Sequence, residues 1–393
     1  MKKIISLNLC LILSFFLLDA QNSQTIIESV LENNTTLKAA RMEIDAEKLN
    51  SKTGIYLPNP NVDFSYTKGA GSNTPGERTY GISQSFEFPT VYFHKKEIAN
   101  KKGVNAECLY DIELRNILFE AQSICINLIY CNILSEELAI RLKHAEDIAA
   151  AYEIRFANED CSILDYNKAK LNLISSKKEL EKVLLEKETL SMELIRLNGG
   201  KPVELTSKNF DVVTLPLGVS FEELYTSSEV NNPILKLLSG EIEVSQTEEK
   251  LALSKSLPNF SVGYIRGGGV GGSSNGVSAG VTIPLWENKN TIKAAKARTN
   301  YLETSVTDKK TQLYNTIKSN YNQAVSLHQL AGEYSKSLDT INNKSLLKTA
   351  LDLGELSLIE YLMEISYYYE AMEKMLETQR EANLITAKLL QLL

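Results

Sequence analysis

Apolar side chains recur at alternating intervals of four and three residues over long stretches of the chain. This spacing places them on one side of a helix and is typical of helices that pack as coiled coils. One series comprises Ile117, Ala121, Ile124, Leu128, Cys131, Ser135, Leu138, Leu142, Ala145, Ala149, Tyr152 and Phe156. The others comprise Ala169, Leu173, Ser176, Leu180, Val183, Lys187, Leu190, Leu194 and Leu197, and Ala371, Met375, Thr378, Ala382, Ile385, Leu389 and Leu392. We therefore predict long, paired helices.

Two shorter regions alternate apolar and polar residues with the period of a β-strand. The apolar positions are Val62, Phe64, Tyr66, Tyr80, Ile82, Phe86 and Phe88 in the first region, and Phe260, Val262, Tyr264, Val277, Ala279, Val281 and Ile283 in the second. We predict β-hairpins at about 61–88 and 259–284. The pattern suits tilted strands of a membrane barrel, and an ordinary soluble hairpin remains the alternative.

The nine prolines leave two stretches, 90–201 and 285–393, without any. Since proline breaks helix interiors, each stretch can hold an exceptionally long helix. The distances from Pro89 to Phe156 and from Pro284 to Leu351 correspond to roughly 100 Å of helix at ~1.5 Å per residue. Short reversals at Ala157–Cys161 and Asp352–Leu356 precede shorter returning helices.

The chain repeats itself after about 195 residues. The segment 33–38 corresponds to 231–236, and Pro89 corresponds to Pro284. The segment 162–166 corresponds to 357–361. We predict two copies of one unit, residues 21–215 and 216–393. Each has a helix (about 24–54 and 220–254), a β-hairpin and a long helical hairpin (89–200 and 285–393), and a linker ends the first copy.

The first 20 residues have the pattern of a secretory signal peptide, with Lys2 and Lys3 before a mostly apolar stretch from Ile4 to Leu18. The mature chain is therefore expected outside the cytoplasm. No later run of 18 apolar residues predicts a membrane-spanning helix. Four cysteines remain after cleavage and lack the spacing of a redox or zinc site, so we expect free thiols.

Composition and charge narrow the class further. The chain is 43% hydrophobic and 23% charged, which excludes collagen, a disordered chain and a small disulfide scaffold. Its net charge is −7, and its lysines are scattered. This balance argues against nucleic acid as a partner.

Four strands cannot close a membrane barrel, whose usual minimum is eight. An open sheet edge in lipid would leave backbone N–H and C=O groups without partners. If the strands lie in a membrane, several chains must therefore pool them, and three chains would supply twelve.

Several segments resemble the TolC family of outer-membrane efflux channels. They are Asn231–Leu235, Pro58–Pro60 with Leu257–Phe260, Gly81–Pro89, Gly276–Trp286 and Gly354–Tyr361. The resemblance covers almost the whole mature chain, in both repeats and in order. It implies an α+β membrane protein whose long antiparallel helical hairpins form a coiled-coil α-barrel. Its four strands would contribute to a trimeric 12-stranded outer-membrane β-barrel.

The resemblance also implies partners and contact residues. The partners are a periplasmic adaptor (a membrane fusion protein), an inner-membrane pump of the RND class and the outer-membrane lipid. No cofactor is implied. In the family the helical reversals face the adaptor. Here the reversals contain Asn158, Glu159, Asp160 and Cys161, and Leu353, Gly354 and Glu355. A role as turn residues alone explains their composition equally well, and Gly354 suits a left-handed helix end.

Glu360 is the candidate for an acidic ring at the periplasmic constriction. The family can carry a carboxylate there, and three copies around one axis would favour cations over anions. Asp165 is the repeat partner of Glu360. The second acidic position of the family is Met363 here, which argues against a double ring. A solvated helical glutamate is the alternative.

The remaining motifs favour structure over chemistry. Three aromatic residues lie just beyond the predicted strands: Trp286, Tyr92 and Phe93. An interfacial aromatic belt is one interpretation of this position, and packing at the junction between barrel and helices is the other. Gly267–Gly272 contains a formal G-x-G-x-x-G, but a strand follows it where a dinucleotide site needs a helix, so we expect a hairpin loop. His94, His144 and His328 lack metal-ligand spacing, and no catalytic constellation stands out.

Together these observations predict the exit duct of a tripartite efflux system, a passive outer-membrane channel without enzymatic activity. The alternatives are a periplasmic coiled-coil scaffold without a pore and the exit duct of a type I protein secretion system.

Overall fold

The computed structural model of the chain describes residues 23–68, 76–210, 213, 220–269, 272–340 and 343–393. The predicted signal peptide and part of the predicted linker lie outside these residues. The helices are α1 (Ser23–Asn33), α2 (Thr35–Asn50), α3 (Pro89–Ala157), α4 (Ile163–Leu197), α5 (Phe221–Asn231), α6 (Pro233–Ser254), α7 (Thr291–Thr340), α8 (Lys344–Asp352) and α9 (Leu358–Leu392). The strands are β1 (Asn61–Thr67), β2 (Glu77–Phe86), β3 (Asn259–Gly269) and β4 (Gly272–Thr282). Both β-hairpins lie where the alternating pattern predicts them.

The chain divides into two compact units. The first contains the described residues up to 38 together with 113–228 and 313–393, and the second contains 39–112 and 229–312. Among the described residues, the regular elements of the first unit are all helices, and the four described strands lie in the second unit.

The core of the first unit follows the predicted heptad pattern. One cluster joins α3, α4 and α9 through Tyr130, Cys131, Leu134, Leu138, Val183 and Leu376. A second cluster joins α5, α7 and α9 through Leu224, Ile317 and Leu389. Nine of the twelve positions of the first series are buried, and Phe156, at 39% exposed, is the most open of the twelve. The predicted helical pairing is therefore confirmed.

The second unit holds one antiparallel sheet in the order β1-β2-β3-β4. Phe64 lies opposite Tyr80, Ile82 opposite Tyr264, and Tyr264 opposite Val277. Residues directly opposite one another point to the same face of a sheet. The register therefore gathers the alternating apolar residues of all four strands on one face.

Two predicted helices are interrupted by asparagine. The helix predicted at 24–54 breaks at Asn34, and the helix predicted at 220–254 breaks at Asn232. The Asn34 side chain accepts a hydrogen bond from the Leu37 N–H (2.9 Å), and the Asn232 side chain accepts one from the Ile234 N–H (3.0 Å). Asparagine competes with the helical backbone in this way and so starts a new helix. At the second break Pro233, which follows Asn232, also lacks the N–H that a continuous helix needs.

The second long helix is also shorter than predicted. The first is continuous from Pro89 to Ala157, but α7 begins only at Thr291 and ends at Thr340 before α8 starts at Lys344. A turn at 287–290, with Asn290 at φ +67°, delays its start. The segment around its end is rich in Asp, Thr and Asn, residues of low helix propensity.

Of the helices that the structure describes, only α3 contains a stretch long and apolar enough to cross a membrane. Most of that stretch is buried against the rest of the protein, as in the core helix of a soluble protein. The four described cysteines are free thiols, as predicted. Burial raises the pKa of Cys125 to about 12 and that of Cys131 to about 11.

Candidate functional site

The sheet of the second unit has one apolar face that is open to solvent. Its large side chains include Val62 (74% exposed), Phe64 (62%) and Val277 (79%). Tyr66, Tyr80, Ile82, Val262, Tyr264 and Val281 are also exposed on this face. Soluble proteins rarely leave so large a contiguous apolar surface uncovered.

The opposite face of the same sheet is mostly polar. Apart from Ile265, its side chains are Asn61, Asp63, Ser65, Thr67, Glu77, Thr79, Ser83, Ser85, Asn259, Ser261, Ser274, Ser278 and Thr282, interspersed with glycines. Gln84, a polar residue on the apolar face, donates from its side-chain amide to the Pro58 carbonyl (2.7 Å). An apolar face backed by a polar face is the pattern of a barrel strand between lipid and a water-filled lumen.

The sheet has two outer strands, and its two ends differ in what they connect to. Within the described sheet, β1 and β4 are the outer strands, each with a neighbour on one side. All four strands connect to helices at one end, because β1 and β3 follow α2 and α6, and β2 and β4 precede α3 and α7. The β1–β2 and β3–β4 connections both lie at the other end.

The first helical reversal, in the first unit, is a Schellman motif. The Asp160 N–H donates to the Arg155 carbonyl (2.7 Å), and the Glu159 N–H donates to the Phe156 carbonyl (3.1 Å). Glu159 has a left-handed φ of +63°. These bonds satisfy carbonyls that the helix end would otherwise leave free.

The second reversal repeats this geometry. The Glu355 N–H donates to the Ala350 carbonyl (2.8 Å), and the Gly354 N–H donates to the Leu351 carbonyl (3.0 Å). Gly354 has φ of +75°, as the sequence predicted for a left-handed helix end.

The structure brings the two reversals together. Leu358, at the start of α9, is 2% exposed and packs with Tyr152 and Ala169 at the end of the first hairpin. Cys161 joins this cluster, and its Sγ lies 3.7 Å from the Tyr152 carbonyl oxygen. In the second reversal, Leu353 is 70% exposed. The start of α9, which directly follows the second reversal, thus packs against the end of α3 and the start of α4, which flank the first reversal.

Both candidate gate carboxylates lie at helix N-termini. The Glu360 carboxylate accepts from the Ser357 N–H (2.9 Å), and the Ser357 hydroxyl accepts from the Glu360 N–H (3.3 Å). Asp165 is also held by the serine three residues before it, but through the side chain alone: the Ser162 hydroxyl donates to Asp165 Oδ2 (2.7 Å) and accepts from the Asp165 N–H (3.2 Å). The hydrogen bonds from Ser357 lower the pKa of Glu360.

The sequence analysis missed this local role. Serine followed three residues later by Asp or Glu is the signature of a capping box, and both reversals carry it as Ser-Ile-Leu-Asp and Ser-Leu-Ile-Glu. The signal was therefore present in the segments 162–165 and 357–360.

The three predicted interface aromatics differ in exposure. Trp286 is 80% exposed and Phe93 is 66% exposed. Tyr92 is partly buried, and its hydroxyl accepts a hydrogen bond from the Glu87 N–H (3.0 Å) at the junction of β2 and α3. Tyr92 thus packs at the junction, whereas the other two are free to contact a membrane interface.

The other motifs have no catalytic arrangement. The glycine-rich motif is mostly strand, because β3 runs to Gly269 and β4 begins at Gly272, which corrects the prediction of a loop there. The three histidines lie on helices at partly or fully exposed positions. Within the described ranges, no three His, Cys, Asp or Glu side chains are grouped so as to hold a metal ion.

A buried charge cluster, which the sequence analysis did not predict, joins three helices of the first unit. Arg141 on α3 is 6% exposed and pairs with Glu373 on α9, and its guanidinium lies 4.1 Å from the centre of the Tyr369 ring. Glu137, one turn before Arg141, lies 3.5 Å from the ammonium of Lys344 on α8. Burial raises the pKa of Tyr369 to about 12.

Comparison with known proteins identifies the fold. No protein-family model and no curated protein matches the sequence. Among solved structures, CusC, studied for its folding and transmembrane channel formation, has a TM-score of 0.78 and 15% identity over 95% of this chain and 92% of that chain. A membrane protein from Pseudomonas aeruginosa has a TM-score of 0.79 and 14% identity over 94% and 90% of the two chains. The CmeC outer-membrane channel of Campylobacter jejuni has a TM-score of 0.77 and 15% identity over 95% and 86%. The predicted TolC-like fold is confirmed.

Proposed function

We propose that this chain, whose fold is that of the outer-membrane channels, is the exit duct of a tripartite efflux system. The observation that carries the proposal is the sheet with one exposed apolar face and one polar face. The apolar face would contact outer-membrane lipid, and the polar face would line a water-filled passage.

The proposed assembly is a homotrimer. The free edges of β1 and β4 would pair with those of neighbouring copies to close a barrel of twelve strands. The helices would extend into the periplasm. A periplasmic coiled-coil scaffold without a pore is disfavoured, because it would leave the apolar face of the sheet in water.

The helix α4 supports contacts between copies independently of the sheet. Its buried positions face α3, whereas Leu164, Leu171, Ile174, Leu185 and Met192 are each more than 60% exposed. Positions 164, 171, 185 and 192 are separated by multiples of seven, so they lie along one face of the helix. We call this set the outer stripe of α4, and a neighbouring copy would cover it.

The paired helical reversals are the proposed contact with a periplasmic adaptor, which would couple the duct to an inner-membrane pump of the RND class. Cys161 of the first reversal packs with Leu358, which closely follows the second reversal, and Leu353 is exposed. The duct itself would perform no chemistry, and the pump would supply the energy.

Glu360 is proposed to form the acidic ring of the periplasmic constriction, with Asp165 as a weaker contributor. The decisive variant is Glu360→Gln, because glutamine preserves the capping box while removing the charge. We expect it to lower the preference of the reconstituted channel for cations over anions. An unchanged cation preference would refute the ring.

The membrane assignment is tested by placing one charge on either face of β2. Ile82→Arg puts it on the apolar face and should cost about 2–4 kcal/mol if that face meets lipid. Ser83→Arg puts the same charge on the polar face and should be tolerated. The measurements are outer-membrane fractionation, the heat-sensitive trimer on gels and single-channel conductance. Equal effects of the two variants, or no conductance from the parent protein, would contradict the proposed function.

A further inference from the structure

Three basic side chains lie together at one end of the apolar face of the sheet. Arg78 on β2 is opposite Tyr66, and Arg266 on β3 is opposite Tyr80, so the register places both arginines on the apolar face. Lys68 directly follows β1 and continues its alternation. All three side chains are exposed.

The two arginines are close neighbours. Arg266 pairs with Tyr80, two residues along β2 from Arg78. Such diagonal positions on adjacent strands are about 7–8 Å apart, within which two long side chains can reach one ligand. Among the described residues, no Asp or Glu forms an ion pair with Lys68, Arg78 or Arg266. The nearest acidic strand residue at this end, Glu77, belongs to the opposite face.

The position of the cations fits the edge of a membrane. On β2 the apolar face runs from Phe86, at the helix end of the sheet, to Arg78, at the connection end. Eight residues at ~3.3 Å per residue span about 26 Å along the strand, which at the ~40° tilt of barrel strands rises about 20 Å across a lipid-facing band about 25 Å tall. With Phe86 at one edge of that band, Arg78 falls near the other edge, from which its long side chain can reach the headgroups.

We propose that Lys68, Arg78 and Arg266 form a basic belt that binds the phosphate groups of anionic lipid in the leaflet beside the hairpin connections. The proposal rests on the proposed function, because it requires the apolar face to contact lipid. Arginine suits this ligand because its planar guanidinium can give two parallel hydrogen bonds to one phosphate. Tyr66 and Tyr80, opposite the two arginines, supply the amphipathic rings favoured at headgroup depth.

The experiment measures lipid retained on the purified full-length trimer in neutral detergent by native mass spectrometry. The probes are lipid A (a glycolipid with two phosphates), phosphatidylglycerol and phosphatidylcholine at equal concentrations. We expect lipid A to be retained most and phosphatidylcholine least. The variant R78Q/R266Q should weaken lipid A retention by about tenfold or more, as expected on losing a charge-assisted contact.

Two variants serve as matched controls. Glu77→Gln alters a charge at the same end of the sheet on the polar face, and Arg298→Gln removes an exposed arginine from α7. Both should retain lipid A as the parent protein does. If R78Q/R266Q does not assemble, R78Q and R266Q separately should each show part of the loss.

Three results would overturn the basic belt. They are unchanged lipid A retention in the arginine variants, equal retention of phosphatidylcholine and lipid A, and displacement of lipid A by an equal concentration of inorganic phosphate, which would indicate a plain anion site. Unheated gels and conductance measurements on the same preparations separate failure of the basic belt from failure of the proposed function. A parent protein that conducts but shows no lipid preference refutes only the belt.

Discussion

Glu159 adopts a left-handed backbone conformation that L-amino acids with side chains rarely adopt. The equivalent position of the second reversal is Gly354, for which the same conformation carries no steric penalty. The two reversals therefore have the same hydrogen bonds but different local strain.

Opposite substitutions at these positions should have opposite effects. Gly354→Ala should lower the free energy of unfolding by about 1–2 kcal/mol, and Glu159→Gly should leave it unchanged or raise it by less than about 1 kcal/mol. Denaturant unfolding monitored by helical circular dichroism checks both. Glu355→Ala is the control, because the hydrogen bond of Glu355 at this turn comes from its backbone. Destabilisation by both Gly354→Ala and Glu159→Gly would contradict this account.

The capping carboxylate of Glu360 predicts a pH dependence. Its pKa is lowered from 4.5 by hydrogen bonds from Ser357, so ionised Glu360 favours the folded state. This contribution is present above pH 4.5 and is lost as the pH falls through the lowered pKa. The parent protein should therefore lose its stability advantage over Glu360→Gln on acidification, measured by unfolding midpoints across that range. An advantage that does not vary with pH would argue against the cap.

At the scale of whole elements, the buried charge cluster holds α3, α8 and α9 to one another. Its members come from separate helices, and a buried ion pair is sensitive to loss of one partner because the other charge is left uncompensated. The cluster therefore acts as a specific connection between the first long helix and the second hairpin.

Removing the central charge should be costly. Arg141→Ala should destabilise the protein by about 3–5 kcal/mol, because Glu137 stays buried near only the Lys344 ammonium. Adding Glu137→Gln should recover part of the loss. Lys177→Ala breaks an exposed pair with Glu181 and should cost at most about 1 kcal/mol. Equal unfolding midpoints for Arg141→Ala and Lys177→Ala would refute the role of the cluster.

The helices and strands differ in how well they can be predicted from the sequence. The heptad series and the alternating strands were predictable, because burial on one face leaves a periodic pattern. The break at Asn34 was not, since it depends on which hydrogen bond an asparagine side chain makes. The break at Asn232 could have been predicted, because Pro233 follows it and proline starts rather than continues a helix. The Arg141 cluster also escaped prediction, because its residues are separated in sequence and meet only through helix packing. At the candidate site, the reversals were located correctly, but the capping role of Glu360 was not recognised.

At the scale of the whole molecule, the described residues leave apolar surface exposed on the sheet and on the outer stripe of α4. In the proposed assembly these surfaces have different partners, lipid for the face of the sheet and a second copy for the stripe.

Charges in the outer stripe should impair assembly without unfolding the chain. Leu171→Glu combined with Leu185→Glu should reduce the trimer fraction in light scattering and on unheated gels, while helix content stays constant. Lys177→Glu changes charge on the same helix at an exposed position outside the stripe and should assemble normally. A full yield of trimer from the double variant would mean that copies do not meet along α4.

The connection of all four strands to helices at one end of the sheet has a consequence for biogenesis. Only the two hairpin connections, residues 68–76 and 270–271, need to pass through the bilayer when the proposed barrel forms. Both connections are short, so the polar surface to be translocated is small. The barrel can then be inserted from the side on which the chain arrives, with the helical portion of the protein never leaving that compartment.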